Sequence, residues 1–427
     1  MKGAAFLVTT PSYSPDVTLL SRLAALGEPE SGQVAAVLDR ACQAKGLVPE
    51  EAAMLLAVTD PETLQAIFQA AHDVKTAIWG PRVRLFAPLY LTNDCHSNCL
   101  YCGFRSDNVL LKRRTLTLEE ALTDGRFLQQ EGFQRILLVC ADVRELSYLD
   151  EVLRIMEALY EQIGLRTINL NIAPPSVAQL RRFREAGAAM YQSFQETYHP
   201  EVYRWVHPEG RKKVFAWRLA SMERALEAGF TLLGMGTLLG LCPYRYDALS
   251  LIDHIHHLRE RYGVTPAAIN VPRMRPALGA PLTEAPNPVD DDALKQIIAV
   301  YRLAVPEASI AVSTREPAAL REETLFLGAS QLSAGSRTDP GGYHEADHAS
   351  TEQFVLQDDR PLEMVIGALL HRGLLPDLYA PRCLGNGEEE PYTLTALVPS
   401  PGAADQTRAL LALADYLERR PPLAQLC

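Results

Sequence analysis

The residues that say most about chemistry are Cys95, Cys99 and Cys102, in the stretch Asn93-Asp-Cys-His-Ser-Asn-Cys-Leu-Tyr-Cys-Gly-Phe-Arg105. Thiolate is the standard iron ligand of iron–sulfur clusters, and three thiolates hold three corners of a [4Fe–4S] cubane. One iron is then left open, a place where a small molecule can bind and receive an electron. A structural zinc ion asks for four ligands, usually two Cys or His pairs separated by a longer loop, and no second pair accompanies this triplet. His96, next to Cys95, would strain a tetrahedral site. Chance clustering of buried cysteines is a poor account, because the intervening residues are mostly polar.

Radical cleavage of S-adenosylmethionine (SAM) requires such an open iron, and it also requires groups that hold SAM in one geometry. Tyr101, beside Cys102, is an aromatic suited to stacking on adenine, or simply to packing the loop. Glu196, in Phe194-Gln-Glu-Thr-Tyr-His199, can accept from ribose hydroxyls or the SAM amine, or form a structural ion pair. Arg218 suits the SAM carboxylate, although a helical arginine is more often at the surface. Gly234-Met-Gly236 ends a strand with little side chain, which lets a flat ligand approach the backbone. A second set fits a substrate. Arg315, in Ser313-Thr-Arg-Glu316, and Ser336 with Arg337, in Ser333-Ala-Gly-Ser-Arg-Thr338, suit an amino-acid carboxylate, since a guanidinium fork pairs bidentately with it and a hydroxyl adds a donor. A salt bridge to Glu316 is the competing account of Arg315.

These residues need a scaffold that brings them to one face. Strand patterns run over Val83–Leu91, Arg135–Cys140, Thr167–Ile172, Met190–Phe194, Thr231–Leu239, Ala267–Pro272, Ser309–Ser313 and Ala329–Ser333, with amphipathic helical stretches between them. Eight strand–helix units predict an α/β fold of the (β/α)8 TIM-barrel type, with an open doubly wound sheet as the alternative. Asp142, Glu196, Arg273, Arg275, Arg315, Glu316, Ser336 and Arg337 all follow strands, and in a barrel those positions share the catalytic face. Ahead of the barrel, Gln33–Lys45, Pro49–Val58 and Pro61–Ala77 read as helices, with Asp60 as an N-cap. The expected divisions are an N-terminal helical extension (1–77), the barrel (78–345) and a C-terminal helical region (346–427) with a turn-rich segment at Gly385-Asn-Gly387.

At 427 residues with 48% hydrophobic content, the chain can bury a large core. Its net charge of −11 disfavours a nucleic-acid partner. No apolar run approaches membrane-spanning length, and the opening apolar stretch is too short for a signal-peptide core. The other cysteines are scattered, which fits a reducing cytoplasm better than a disulfide framework.

Several motifs together carry a family resemblance: Phe86-Ala-Pro-Leu-Tyr-Leu-Thr-Asn93, Tyr101-Cys-Gly-Phe104, Lys112-Arg-Arg-Thr-Leu-Thr117, Phe194-Gln-Glu-Thr-Tyr-His199, Pro272-Arg-Met-Arg-Pro276, Ser313-Thr-Arg-Glu316, Ser333-Ala-Gly-Ser-Arg-Thr338 with Gly341-Gly-Tyr343, and Gln353-Phe354 followed by Asp358-Asp-Arg360. From Val58 to Pro376 the chain resembles the aromatic amino-acid lyases of the radical SAM superfamily. These include 2-iminoacetate synthase of thiamine biosynthesis and the tyrosine lyase that matures [FeFe]-hydrogenase. Asn171-Ile-Ala-Pro174 and Ala87-Pro-Leu-Tyr90 resemble the maturase more. The resemblance implies one [4Fe–4S] cluster, SAM, a 5′-deoxyadenosyl radical, and cleavage of the Cα–Cβ bond of tyrosine to p-cresol and dehydroglycine (2-iminoacetate). It also implies that Arg315 and Ser336 hold the substrate carboxylate. An electron donor such as flavodoxin or ferredoxin, and a downstream enzyme that accepts dehydroglycine, are the expected partners.

Two departures from the family pattern stand out. The maturase carries a second cluster on a Cys-x2-Cys motif near its C-terminus, whereas here Tyr379 and Arg382 occupy the matching positions and Cys383 is one residue out of place. The expected chemistry therefore stops at the lyase step, without formation of carbon monoxide and cyanide. In Val139-Cys-Ala-Asp142 the family's Gly-Glu, which meets the SAM amine, is replaced by Ala-Asp on a shorter arm. Tryptophan or another amino acid, with a rearranged product, is the alternative substrate reading. A non-catalytic iron–sulfur scaffold is the alternative of another class.

Overall fold

The computed structural model describes residues 11–344, 351–380 and 403–420. Its centre is a ring of parallel strands: β1 (Arg82–Thr92), β2 (Arg135–Cys140), β3 (Thr167–Asn171), β4 (Tyr191–Gln192), β5 (Leu233–Gly236), β6 (Ala268–Asn270), β7 (Ser309–Val312) and β8 (Gln331–Ser333). Each pairs with the next, and β1 pairs with both β2 and β8, which closes the sheet. Every residue of β1 and β2 is buried, as expected of parallel strands covered on both faces. Helices such as Leu118–Glu131, Val177–Glu185, Tyr244–Tyr262 and Asp291–Ala304 separate the strands in sequence and cover the ring. The predicted (β/α)8 barrel is the fold, and the open sheet is excluded.

The strands are shorter than the apolar runs suggest. β4 keeps two residues, although Ser193 and Gln195 still donate to the carbonyls of Gly234 and Gly236 at 3.0 Å. The regular strand is broken at Glu196, whose φ of 70° is left-handed, although this residue still bridges to Thr237.

Four helices precede the barrel: Val17–Ala24, which the sequence reading missed, then Ser31–Ala41, Pro49–Ala57 and Pro61–Trp79. Asp60 caps the last of these by accepting from the Thr63 amide at 2.8 Å. The first, third and fourth pack on the outer helices Tyr244–Tyr262 and Asp291–Ala304, and Ser31–Ala41 packs on the third and fourth. After the barrel come helices Leu362–His371 and Ala403–Glu418. The C-terminal region is not purely helical, however. A ninth strand, β9 (Leu375–Asp377), pairs with Arg82–Arg84 at the start of β1. Three residues centred on Pro376 carry no strand periodicity, so only the start of β1, which extends ahead of its pairing with β2 at Ala87, reveals them. The Gly385–Gly387 turn lies outside the described residues. Among the described residues no helix is long and apolar enough to cross a membrane.

Candidate active site

The cysteine loop leaves β1 and is laid across the barrel mouth by backbone bonds. His96 N donates to Asp142 O (2.6 Å), Asn98 N to Glu209 O (3.2 Å) and Leu100 N to Val206 O (3.0 Å). Arg113 braces it from the other side, donating to the carbonyls of Asn93 and Phe104 at 2.8 Å each. Cys95, Cys99 and Cys102 all line one cavity of about 210 Å³. Burial pushes the Cys95 and Cys99 thiols up, so ionising them needs compensating positive charge, which irons supply. Among the described residues no three His, Cys, Asp or Glu side chains converge to hold a single metal ion. His96 is exposed and does not line the cavity. A cubane needs no such convergence, since each cysteine binds a different iron. The donor set thus fits a cluster rather than zinc.

Glu196 reaches the same cavity from the loop after β4. Its left-handed backbone is held on two sides: its carbonyl accepts from Leu238 N at 2.8 Å, and Asp247 accepts from Thr197 Oγ1 (2.9 Å) and Tyr198 N (2.8 Å). Burial pushes the Glu196 carboxyl up, but Lys212 (2.5 Å) and Arg218 (3.5 Å) outweigh it and hold the group below the usual carboxylate value. Both bonds fall on Oε1, which leaves Oε2 for a ligand. Arg218 is not a surface residue. It lines the cavity and donates to Phe194 O at 2.6 Å. The Tyr101 ring also lines it, with the hydroxyl 2.9 Å from His207 Nε2 and Lys212 Nζ 5.5 Å from the ring centre.

Three expected SAM contacts are placed differently. Asp142 lines the cavity, yet one carboxylate oxygen accepts from Ser97 Oγ (2.6 Å) and the other from Arg211 (2.9 and 3.0 Å). The shorter arm thus serves to clamp the cysteine loop. Gly234 and Gly236 do not line the cavity at all. A Cβ on Gly234 would lie 2.8 Å from the Gln192 side chain, and one on Gly236 would lie 2.7 Å from Asn270 O. The space they open is filled by neighbouring protein atoms, not by a ligand.

On the far wall, Arg315 lines the cavity with its guanidinium flat on Phe354, 3.4 Å from the ring centre. Glu316 is not its partner. That carboxylate, 1% exposed, is held by Arg273 and by Arg275. Among the described residues no carboxylate pairs with the Arg315 guanidinium, and burial pulls it down from its usual value. Ser336 is also 1% exposed and lines the cavity, and its hydroxyl has no hydrogen-bond partner among the described residues. Arg337 does not reach the cavity. Its amide donates to Tyr343 Oη at 3.2 Å and its guanidinium to Ser336 O at 3.4 Å, so it shapes the turn that presents Ser336.

Sequence reasoning missed Lys212 and Arg211, and it named Gln353 and Phe354 only as part of a family motif, with no role at the site. Lys212 and Arg211 follow Gly210, where a Cβ would fall 2.5 Å from the Ser97 Cα, so this segment is pressed against the cysteine loop. A basic triplet, Arg211-Lys-Lys213, on no periodic element offers no signal in sequence. Gln353 and Phe354 fall beyond the boundary drawn at 345 but line the cavity.

Comparisons with known proteins place the chain in a family. Residues 89–247 match the Radical SAM superfamily model, and residues 270–375 match the Biotin and Thiamin Synthesis associated domain. The 2-iminoacetate synthase of Escherichia coli (strain K12) is 32% identical over 347 residues, 81% of this chain and 90% of that protein. The X-ray structure of the FeFe-hydrogenase maturase HydG from Carboxydothermus hydrogenoformans superposes with a TM-score of 0.85 at 35% identity, covering 96% of this chain and 92% of the other. A second HydG crystal structure gives 0.83 at 31% identity, covering 96% and 95%. The chain therefore belongs to the radical SAM aromatic amino-acid lyases, a family of carbon–carbon lyases that work with a [4Fe–4S] cluster and SAM.

Proposed function

We propose that this lyase cleaves the Cα–Cβ bond of L-tyrosine, releasing p-cresol and dehydroglycine, and that its chemistry ends there. The observation that carries the reading is the pair formed by the unpaired Arg315 guanidinium and the unpartnered Ser336 hydroxyl, both lining the cavity of the three cysteines. A partly buried cation and an orphaned hydroxyl each cost stability unless a ligand satisfies them, and an amino-acid carboxylate satisfies both. When bound at Cys95, Cys99 and Cys102, the cluster supplies the electron that turns SAM into a hydrogen-abstracting 5′-deoxyadenosyl radical. The chain's own residues orient and enclose. Glu196 Oε2 accepts from a SAM hydroxyl or ammonium, Arg218 and Lys212 keep that carboxylate ionised, and Phe354 stiffens Arg315 against the substrate. The cavity walls, apolar at Phe86, Leu137 and Val139, exclude water and oxygen from a reactive primary radical.

The lyase-only reading rests on the cysteine positions. Tyr379 and Arg382 stand where a second cluster would need thiolates; Tyr379 is described, and Arg382 and Cys383 lie outside the described residues. A flavodoxin- or ferredoxin-type donor and an enzyme that consumes dehydroglycine complete the proposal.

The test is anaerobic incubation of the reconstituted protein with SAM, reductant and each aromatic amino acid, read by mass spectrometry. Tyrosine should give p-cresol with 5′-deoxyadenosine and neither cyanide nor carbon monoxide, and Cys99→Ala should abolish SAM cleavage. Accumulation of 5′-deoxyadenosine with another amino acid, and no p-cresol from tyrosine, would sink the substrate assignment.

A further inference from the structure

The segment that enters the barrel mouth after β8 docks on the cysteine loop, and one of its side chains reaches a cysteine sulfur. Gln353 Nε2 lies 3.8 Å from Cys102 Sγ, within range of an N–H···S hydrogen bond. Its amide is not free to swing, because Oε1 accepts from the Tyr90 hydroxyl at 2.9 Å, and this fixes the N–H end toward the sulfur. The backbone is fixed as well: Gln353 N donates to Thr338 O (3.1 Å), and Gln353 O accepts from Gly103 N (3.3 Å), the residue after Cys102. Close docking requires a glycine there, since a Cβ on Gly103 would lie 2.9 Å from Gln353 O. The side chain therefore has a rigid mount on both flanks.

A donor aimed at a cluster thiolate stabilises the reduced, more negative state over the oxidised one, and hydrogen bonds to sulfur are among the factors that set cluster potentials. We propose that Gln353 is a positioning residue that raises the reduction potential of the cluster, with Tyr90 orienting it. This rests on the reading that Cys95, Cys99 and Cys102 hold the cluster. The placement also has a consequence for substrate. Tyr90 lines the cavity, and the next residue after Gln353, Phe354, lies under Arg315. The group that tunes electron entry is thus built into the wall that faces the amino acid.

The experiment compares Gln353→Met, close in shape but without an N–H donor, with the reconstituted wild-type protein in an anaerobic redox titration followed by the spin signal of the reduced cluster. Iron is counted per chain in both. With equal iron, the variant's midpoint should fall, shifting the reduction equilibrium three- to tenfold against the reduced cluster, where tenfold corresponds to about 59 mV for one electron. Tyr90→Phe, which frees the amide to rotate, should shift it in the same direction by a smaller factor, and it serves as the measurement if Gln353→Met loads poorly. Midpoints unchanged within twofold at full iron loading overturn the proposal, because a merely structural glutamine would leave the potential where it was. Failure of the wild-type protein to bind a cluster would instead strike at the ligand assignment.

Discussion

Replacing Arg315 by lysine tests the substrate reading most directly, because it keeps the charge and removes the geometry. The guanidinium can give two parallel bonds to a carboxylate and lies flat on Phe354 at 3.4 Å. An ammonium gives one directed bond at a time and a weaker contact with the ring. A hydrogen bond to a charged group is worth about 1.5–3 kcal/mol, and the weakened stacking adds roughly 0.5–1 kcal/mol. The sum is about 3 kcal/mol, or roughly a hundredfold loss in apparent tyrosine affinity at about 1.4 kcal/mol per decade. The assay is 5′-deoxyadenosine formation against amino-acid concentration at saturating SAM. Tyramine, which lacks the carboxylate, is the control. Wild type should favour tyrosine strongly, and Arg315→Lys should lose most of that preference while handling tyramine within a few-fold of wild type. An equal loss for tyrosine and tyramine would refute the reasoning, because Arg315 would then be shaping the cavity rather than holding a carboxylate.

Glu316→Gln should destabilise the barrel by about 2–3 kcal/mol in chemical denaturation, since it leaves buried Arg273 with Asp291 as its remaining carboxylate partner and half-buried Arg275 facing a neutral group; a loss below about 1 kcal/mol would deny the clamp. Asp247 is a buried acid whose pKa burial raises from 3.8 to about 7. Between these values the folded chain keeps a proton that the unfolded chain has released. Its contribution is therefore neutral below about pH 4, grows unfavourable as pH rises, and levels off above about pH 7 at roughly 4 kcal/mol. Asp247→Asn should flatten the fall in stability between about pH 4 and pH 7, and an unchanged slope would count against that raised pKa. Gly103→Ala should lower iron retained per chain after reconstitution, because its Cβ would press on Gln353 O and Glu352 O at 2.9 and 3.1 Å and cost about 1–3 kcal/mol. Wild-type iron loading would show that the contact yields freely.

Some of this site is legible in the sequence. Cysteine spacing is a local property, so the triplet announces its cluster, and the strand–helix alternation announces a barrel whose strand ends share a face. Arg315 and Ser336 could be paired on that ground alone, although 21 positions separate them. Other assignments failed for identifiable reasons. Gly234 and Gly236 look like openings for a ligand, yet Gln192 and Asn270 from neighbouring strands occupy the space, and lateral neighbours in a sheet are not written into either strand. Asp142 looks like a SAM contact because it follows β2, but Arg211, 69 positions away, takes its carboxylate.

The division follows from the range of the forces involved. Ligand type, strand periodicity and capping act over a few residues, so the chain alone predicts three thiols suited to a cluster at the mouth of a parallel barrel. Whether a given charge is spent or available depends on which charges lie within a few ångströms, and only the closed fold settles that. Arg315 is available because Arg273 and Arg275 had already claimed Glu316, and Gln353 meets Cys102 because 251 residues of chain return to the loop they left.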